Sequence, residues 1–305
     1  MAPSNTWTET DPTGSSLRSL GDDSIRQFKL DIRERLAAEH VSEDGSAIVA
    51  GTFTEARHKL SSIGLLGLLK GLRIEQRSYA TSGNITVSGK LQIEINGDMC
   101  YLDSDTNLAF SGLSASTSYY IYAASPGHET ELGAGNLSYS STAPTYSTSK
   151  KGWYSGTSRA IGFFRAVGNL KMLPFIQENY KYYYTRAFSI ASADSYWVLS
   201  AGTATSATEI TSVSSYIPIF SGSVADFAYW LTNSTPTSSL QALFGPDTTS
   251  NAVQAQISIG SNNSLNLRGS ILIGLSSDRT IYYYNSSSIC QTYLVVLGFT
   301  LDGSL

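Results

Sequence analysis

The chain has 305 residues, 41% hydrophobic and only 14% charged, with a formal net charge of −4. Ordinary globular domains are about 25% charged; here Ser, Thr and Tyr take the place of charge, which suits pleated sheets with one wet face. The 19 Tyr, 11 Phe and 4 Trp argue against disorder, and the lack of a basic stripe argues against a nucleic-acid partner.

Charge is unevenly spread. The first 75 residues hold 20 of the 44 charged side chains, whereas residues 210–305 hold only six. The N-terminus lacks the basic and apolar regions of a secretory signal. The longest apolar run, Ile63 to Leu69, is far short of a membrane helix. A chain made in the cytoplasm, without membrane insertion, is expected. Cys100 and Cys290 are too few for a disulfide framework; whether they pair stays open at this point.

Residues 1–21, with Pro3, Trp7, Pro12, Gly14 and Gly21, read as an extended arm that cannot bury itself. Residues 23–40 read as one amphipathic helix. Ser24 and Gln27 fit a capping box, and Ile25, Phe28, Ile32 and Leu36 form a narrow apolar stripe. Its two readings are a seam for a partner or an ordinary surface helix. His40 at its end would complement the helix dipole. Residues 46–76 are ambiguous, because Gly64, Gly67 and Gly71 weaken both helix and strand.

From Gly83 the pattern is β. Ile85–Val87 and Leu91–Ile95 alternate strictly, and Asn96-Gly97 signals a type I′ hairpin turn. Tyr119–Tyr122, Tyr182–Tyr184, Ile257–Ile259, Leu265–Leu267, Ile271–Ile273, Ile281–Tyr284 and Tyr293–Leu297 predict further short strands. Residues 111–143 and 200–215, rich in small side chains, predict long loops. Many short strands separated by turns give a mainly β fold with antiparallel sandwich-like domains.

Trp7, Asp11-Pro-Thr-Gly14, Gly21-Asp-Asp-Ser-Ile-Arg26 and Ile32-Arg-Glu-Arg35 resemble the N-terminal segment of tailed-bacteriophage fibre and minor structural proteins. Leu108-Ala-Phe-Ser-Gly112, Thr117-Ser-Tyr-Tyr-Ile-Tyr122 and Arg159-Ala-Ile-Gly162 look similar to the β-domain of that group. The resemblance implies a homotrimer.

No catalytic constellation emerges. His40, His58 and His128 form no triad with Ser and Asp, and zinc spacings are absent. Asp103-Ser-Asp105-Thr-Asn107 opens like a calcium loop, but Leu108 and Ser114 stand where Gly and Glu belong, so an Asx turn is expected. Asp194, Asp226, Asp247 and Asp278 are candidates for a glycosidase pair only because the C-terminal half has so few acids, and nothing places two of them together. Consecutive strand residues point to opposite faces. A triple Tyr therefore offers only alternate members outward, and Tyr182, Tyr184, Tyr282 and Tyr284 are the candidate glycan contacts.

The expectation is a non-enzymatic virion component without cofactor or metal: a trimeric tail, collar or head fibre or spike. Residues 1–45 would attach it to the particle through Trp7, Ile25, Phe28, Ile32 and Leu36. Residues 46–90 would connect to β-domains at 91–168 and 169–305. Its partners would be copies of itself, other virion proteins (portal, adaptor, tail or capsid) and host surface polysaccharide. The alternatives are a receptor-binding adhesin and a polysaccharide depolymerase.

Overall fold

The computed structural model describes residues 40–42, 56–58, 69–185, 197–233, 240–247, 255–259 and 266–301. The residues expected to attach the chain, Trp7, Ile25, Phe28, Ile32 and Leu36, lie outside them. So does the expected helix except for its last residue: His40 opens a strand instead.

The fold is mainly β. A short antiparallel hairpin joins β1 (His40–Ser42) to β2 (Ala56–His58). Next come β3 (Leu69–Lys70), β4 (Arg73–Gln76), β5 (Gly83–Val87), β6 (Leu91–Ile95), β7 (Asp98–Leu102) and β8 (Thr106–Phe110). The middle of the chain gives β9 (Ser118–Ala123), β10 (Thr130–Glu131), β11 (Leu137–Ser140), β12 (Thr145–Ser147), β13 (Gly152–Ser155) and β14 (Ser158–Arg165). Then follow β15 (Phe175–Glu178), β16 (Lys181–Tyr184), β17 (Trp197–Gly202), β18 (Thr208–Ile210) and β19 (Ser221–Asn233). The last are β20 (Leu240–Gly245), β21 (Ala255–Ile259), β22 (Asn266–Gly274), β23 (Ile281–Asn285) and β24 (Cys290–Leu301).

Nine strands form the largest sheet, in the order β22-β19-β24-β16-β15-β4-β5-β8, with β17 also on β24. This sheet draws strands from both sides of residue 168, where the sequence suggests a domain division. β24 is its spine. One edge of β24 pairs with β19 throughout, while the other is shared end to end by β16 and β17. Smaller sheets run β10-β7-β6-β3, β11-β9-β14-β13-β12 and β18-β23-β20-β21. All pairings between these strands are antiparallel except β10 with β7.

The five-stranded sheet is covered on both faces at its centre. On one face Arg159 reaches Glu94 and Phe164 meets Phe110. On the other, Phe163 meets Tyr182 and Phe299, and Tyr120 meets Phe220. This explains why Tyr119–Tyr122 and Ala160–Phe164 read as continuous apolar runs rather than alternating ones. A bulge at Ile161 interrupts the β14–β9 ladder, and Gln177 Nε2 donates to the Ile161 carbonyl at 2.8 Å. That bond satisfies a carbonyl otherwise costly to bury.

The Asn96-Gly97 turn forms as the sequence predicts: φ is 54° and 98° at its two residues, and β6 and β7 pair across it. The two strands expected at 265–267 and 271–273 are a single strand, β22. Residues 111–143 contain β9, β10 and β11 as well as loops. Residues 200–215 hold the end of β17, β18 and a 3-10 turn at Thr211–Ser215. The longest strand, β19, has no counterpart among the predicted ones.

Candidate functional site

Several buried clusters carry chemically capable groups. Asp98, Cys100, Ser125 and His128 meet beside β7. Ser125 Oγ donates to Asp98 Oδ2 at 2.7 Å and accepts the Gly127 N–H at 3.0 Å. His128 Nδ1 accepts the Met99 N–H at 3.0 Å, and its Nε2 lies 3.6 Å from Glu129 Oε1. Both ring nitrogens are thus engaged away from Ser125, so no relay reaches the hydroxyl. Burial pushes the Cys100 thiol up, which keeps it protonated and unreactive. Cys290 is also buried and raised by burial, and both thiols are free.

Glu94 and Arg159 are each fully buried, 3.8 Å apart at Oε2 and Nη1. Arg159 Nη1 also donates to the Glu94 carbonyl at 2.7 Å, and Gly97 N–H donates to Glu94 Oε1 at 2.6 Å. Tyr154 OH bridges Glu94 Oε2 and the Asn96 N–H. The network ties the Asn96-Gly97 turn to β13 and β14, and solvent does not reach it.

Asp103 to Asp105 form the turn between β7 and β8, and Asp105 Oδ1 accepts the Gly89 N–H at 2.8 Å. That bond reaches the turn before β6, 16 residues away, and is not the local Asx turn expected. Among the described residues no group of three potential metal ligands occurs. Of the four carboxylates weighed as a glycosidic pair, Asp194 lies outside the described residues. Asp226 is in β19, Asp247 follows β20, and Asp278 is in the turn between β22 and β23. Strand register brings no two of the last three opposite each other.

The two tyrosine triplets have opposite phases. Tyr182 is fully buried, stacked between Phe175 and Phe299 at centroid distances of 5.2 and 4.6 Å. Tyr184 is buried too and donates to the Tyr216 carbonyl at 2.7 Å. Tyr182 and Tyr184 are therefore core residues, not glycan contacts, because β16 turns them onto the inner face of the nine-stranded sheet. The outward member is Tyr183, 45% exposed. In β23 the phase is the expected one: Tyr283 is buried, and Tyr282 and Tyr284 are half-exposed on the outer face of the four-stranded sheet.

A different surface gathers more aromatic groups. On the outer face of the nine-stranded sheet, Arg268, Trp230 and Tyr293 stand side by side on β22, β19 and β24, in register. The Arg268 guanidinium lies 4.7 Å over the Trp230 ring. Ring centroids are 5.1 Å apart from Trp230 to Tyr293, and 5.2 Å from Tyr293 to Trp197 of β17. Four residues along β19, about 13 Å away, a second row crosses the same face: Leu272, Asp226, Gly298 and Tyr183. A Cβ at Gly298 would sit 3.0 Å from Tyr183 Cδ1, so the Tyr183 ring leans across the bare backbone there.

Between the rows stand Ser270, Ala228 and the buried Val295, with Trp197 of β17 paired beside Val295. The first row is thus aromatic, whereas the second carries a single aromatic ring, Tyr183. Asp226 makes no ion pair among the described residues, and burial raises its carboxyl against the lowering effect of the Phe227 N–H. Of these residues only Asp226 was a candidate site residue from the sequence, and for a different role.

No protein-family model matches the chain, and no curated protein matches it.

Proposed function

We propose that the chain is a structural subunit of a bacteriophage virion, a trimeric fibre or spike held to the particle by residues 1–45 and displaying its β-sheets outward. The observation that carries this reading is the pairing of two features. The N-terminal segment resembles that of phage fibre and minor structural proteins, and the described body behind it is mainly antiparallel sheet. The capable side chains of that body, Glu94, Arg159, Cys100 and His128, are consumed in packing. Deleting residues 1–45 is expected to abolish incorporation into particles while the β-sheet circular dichroism persists. Undiminished incorporation would refute the anchoring role.

The aromatic row of Arg268, Trp230 and Tyr293 favours a second reading of the displayed part, a receptor-binding adhesin. Fibre and adhesin roles are compatible in one chain and are tested separately: incorporation reports the first, binding the second.

A further inference from the structure

We infer that Asn96 is a latent self-modification site, at which the Gly97 nitrogen closes a succinimide on the Asn96 side chain, and that the buried Glu94–Tyr154–Arg159 network holds it unreacted in the folded chain. The inference is independent of the fibre and adhesin readings.

The chemistry is intrinsic to the dipeptide. Solvent hydroxide removes the proton of the Gly97 N–H, and that nitrogen attacks Asn96 Cγ. The new C–N bond displaces Nδ2, which leaves as ammonia. Water then opens the five-membered imide at either carbonyl and gives aspartate or isoaspartate; the net change is one water taken up and one ammonia released. A following glycine has no Cβ to hinder the attack and reaches the necessary backbone angles readily. Asn96-Gly97 is the chain's single Asn-Gly pair, and Asn96 is exposed, so water and ammonia pass freely.

The fold withholds the nucleophile. Gly97 N–H donates to Glu94 Oε1 at 2.6 Å. A carboxylate at that distance keeps the proton on the nitrogen and repels the negative charge that has to develop there. Glu94 is itself fixed: it is fully buried, with Oε2 3.8 Å from Arg159 Nη1 and 3.4 Å from Tyr154 OH. Arg159 Nη1 also donates to the Glu94 carbonyl at 2.7 Å. The other N–H of the turn is held as well, since Asn96 N–H donates to Tyr154 OH at 3.2 Å. The turn is closed by the β6–β7 ladder and set by φ values of 54° and 98°. It must open locally before the nitrogen can reach Cγ, so the rate scales with the open fraction.

The modification would not be silent. Isoaspartate routes the main chain through the side-chain carbon and adds a backbone atom to a two-residue turn. β6 and β7 could then no longer hold both Leu91 opposite Leu102 and Ile95 opposite Asp98. A chain that lingers unfolded thereby loses this hairpin covalently, whereas a folded chain keeps it.

The test incubates the full chain at mildly alkaline pH, with and without urea, and follows the peptide spanning Asn96 by mass spectrometry, with isoaspartate resolved chromatographically. Conversion is expected to be slower by about tenfold or more in the folded chain than in urea. Tyr154→Phe removes the hydroxyl that touches both Glu94 and the Asn96 N–H but keeps the ring, and Glu94→Gln removes the charge. Each should speed conversion in buffer while the β-sheet circular dichroism persists. Phe110→Leu is the control, because that ring packs on Phe164 and takes part in none of these bonds; it should leave the rate within about twofold of wild type while the chain stays folded. Equal rates with and without urea overturn the inference. So does wild-type behaviour of Tyr154→Phe, which remains decisive if Glu94→Gln fails to fold, or an acceleration by Phe110→Leu as large as that by Tyr154→Phe, which would make the protection global.

Discussion

Arg159 and Glu94 show how a residue-scale feature with catalytic appearance serves packing. Each is buried among the partners of the other. Truncating one member leaves an uncompensated charge, so Arg159→Met is expected to cost about 3–5 kcal/mol in urea unfolding. The double variant Arg159→Met/Glu94→Gln should recover part of that loss. A single-variant cost below about 1 kcal/mol, typical of an exposed pair, would contradict the description. Burial raises the phenols too: Tyr154 is pushed up to about 12, and Tyr122 rises well above its usual range. The folded state then holds these protons when the unfolded chain, with tyrosines near pKa 10, releases them. Stability should be level below pH about 10 and fall as pH rises from there toward 12, seen as cooperative alkaline unfolding together with tyrosinate absorbance. Asp226 has the same sign on the acid side. Its ionised form is disfavoured in the fold, so Asp226→Asn should raise stability at neutral pH and match wild type below the unfolded carboxyl range. The phase of each tyrosine triplet was written in its flanking residue. Lys181 marks the outward face of β16 and so sends Tyr183 out, whereas Ile281 marks the inward face of β23 and sends Tyr282 and Tyr284 out.

At the scale of elements, local chemistry decided what was legible. Strict alternation and an Asn-Gly pair located β5, β6 and the turn before β7. Gly97 adopts a positive φ of 98°, so Gly97→Ala should cost about 1–2 kcal/mol. Gly298→Ala meets the Tyr182 backbone, which cannot swing aside, and should cost about 1–3 kcal/mol by overpacking. Urea midpoints check both; a neutral Gly298→Ala would mean that β16 and β24 are less closely apposed. β19 escaped sequence reading because its outward positions carry Ala228 and Trp230 and its inward ones Phe227 and Tyr229, so hydrophobicity does not alternate. The aromatic row was lost with it, since Trp230 stands on that strand.

The whole molecule is organised by pairings that leave no local trace. β15 pairs with β4, and β16 with β24, across more than a hundred residues each. No periodicity encodes such contacts, whose closure cost is set by loop length rather than by nearby residues. A fragment beginning at residue 91 would lack β4 and β5, which lie between β15 and β8, and it should fold poorly and lose near-ultraviolet circular dichroism. The charge-rich beginning and the charge-poor sheets thus suit a chain attached at one end and displayed at the other. The most direct measurement of that arrangement is a map of intact particles with the chain labelled at its C-terminus. Label at the outer tip of a threefold-symmetric projection is the expected result; label inside the particle, or no copies on it at all, would contradict the virion-fibre role.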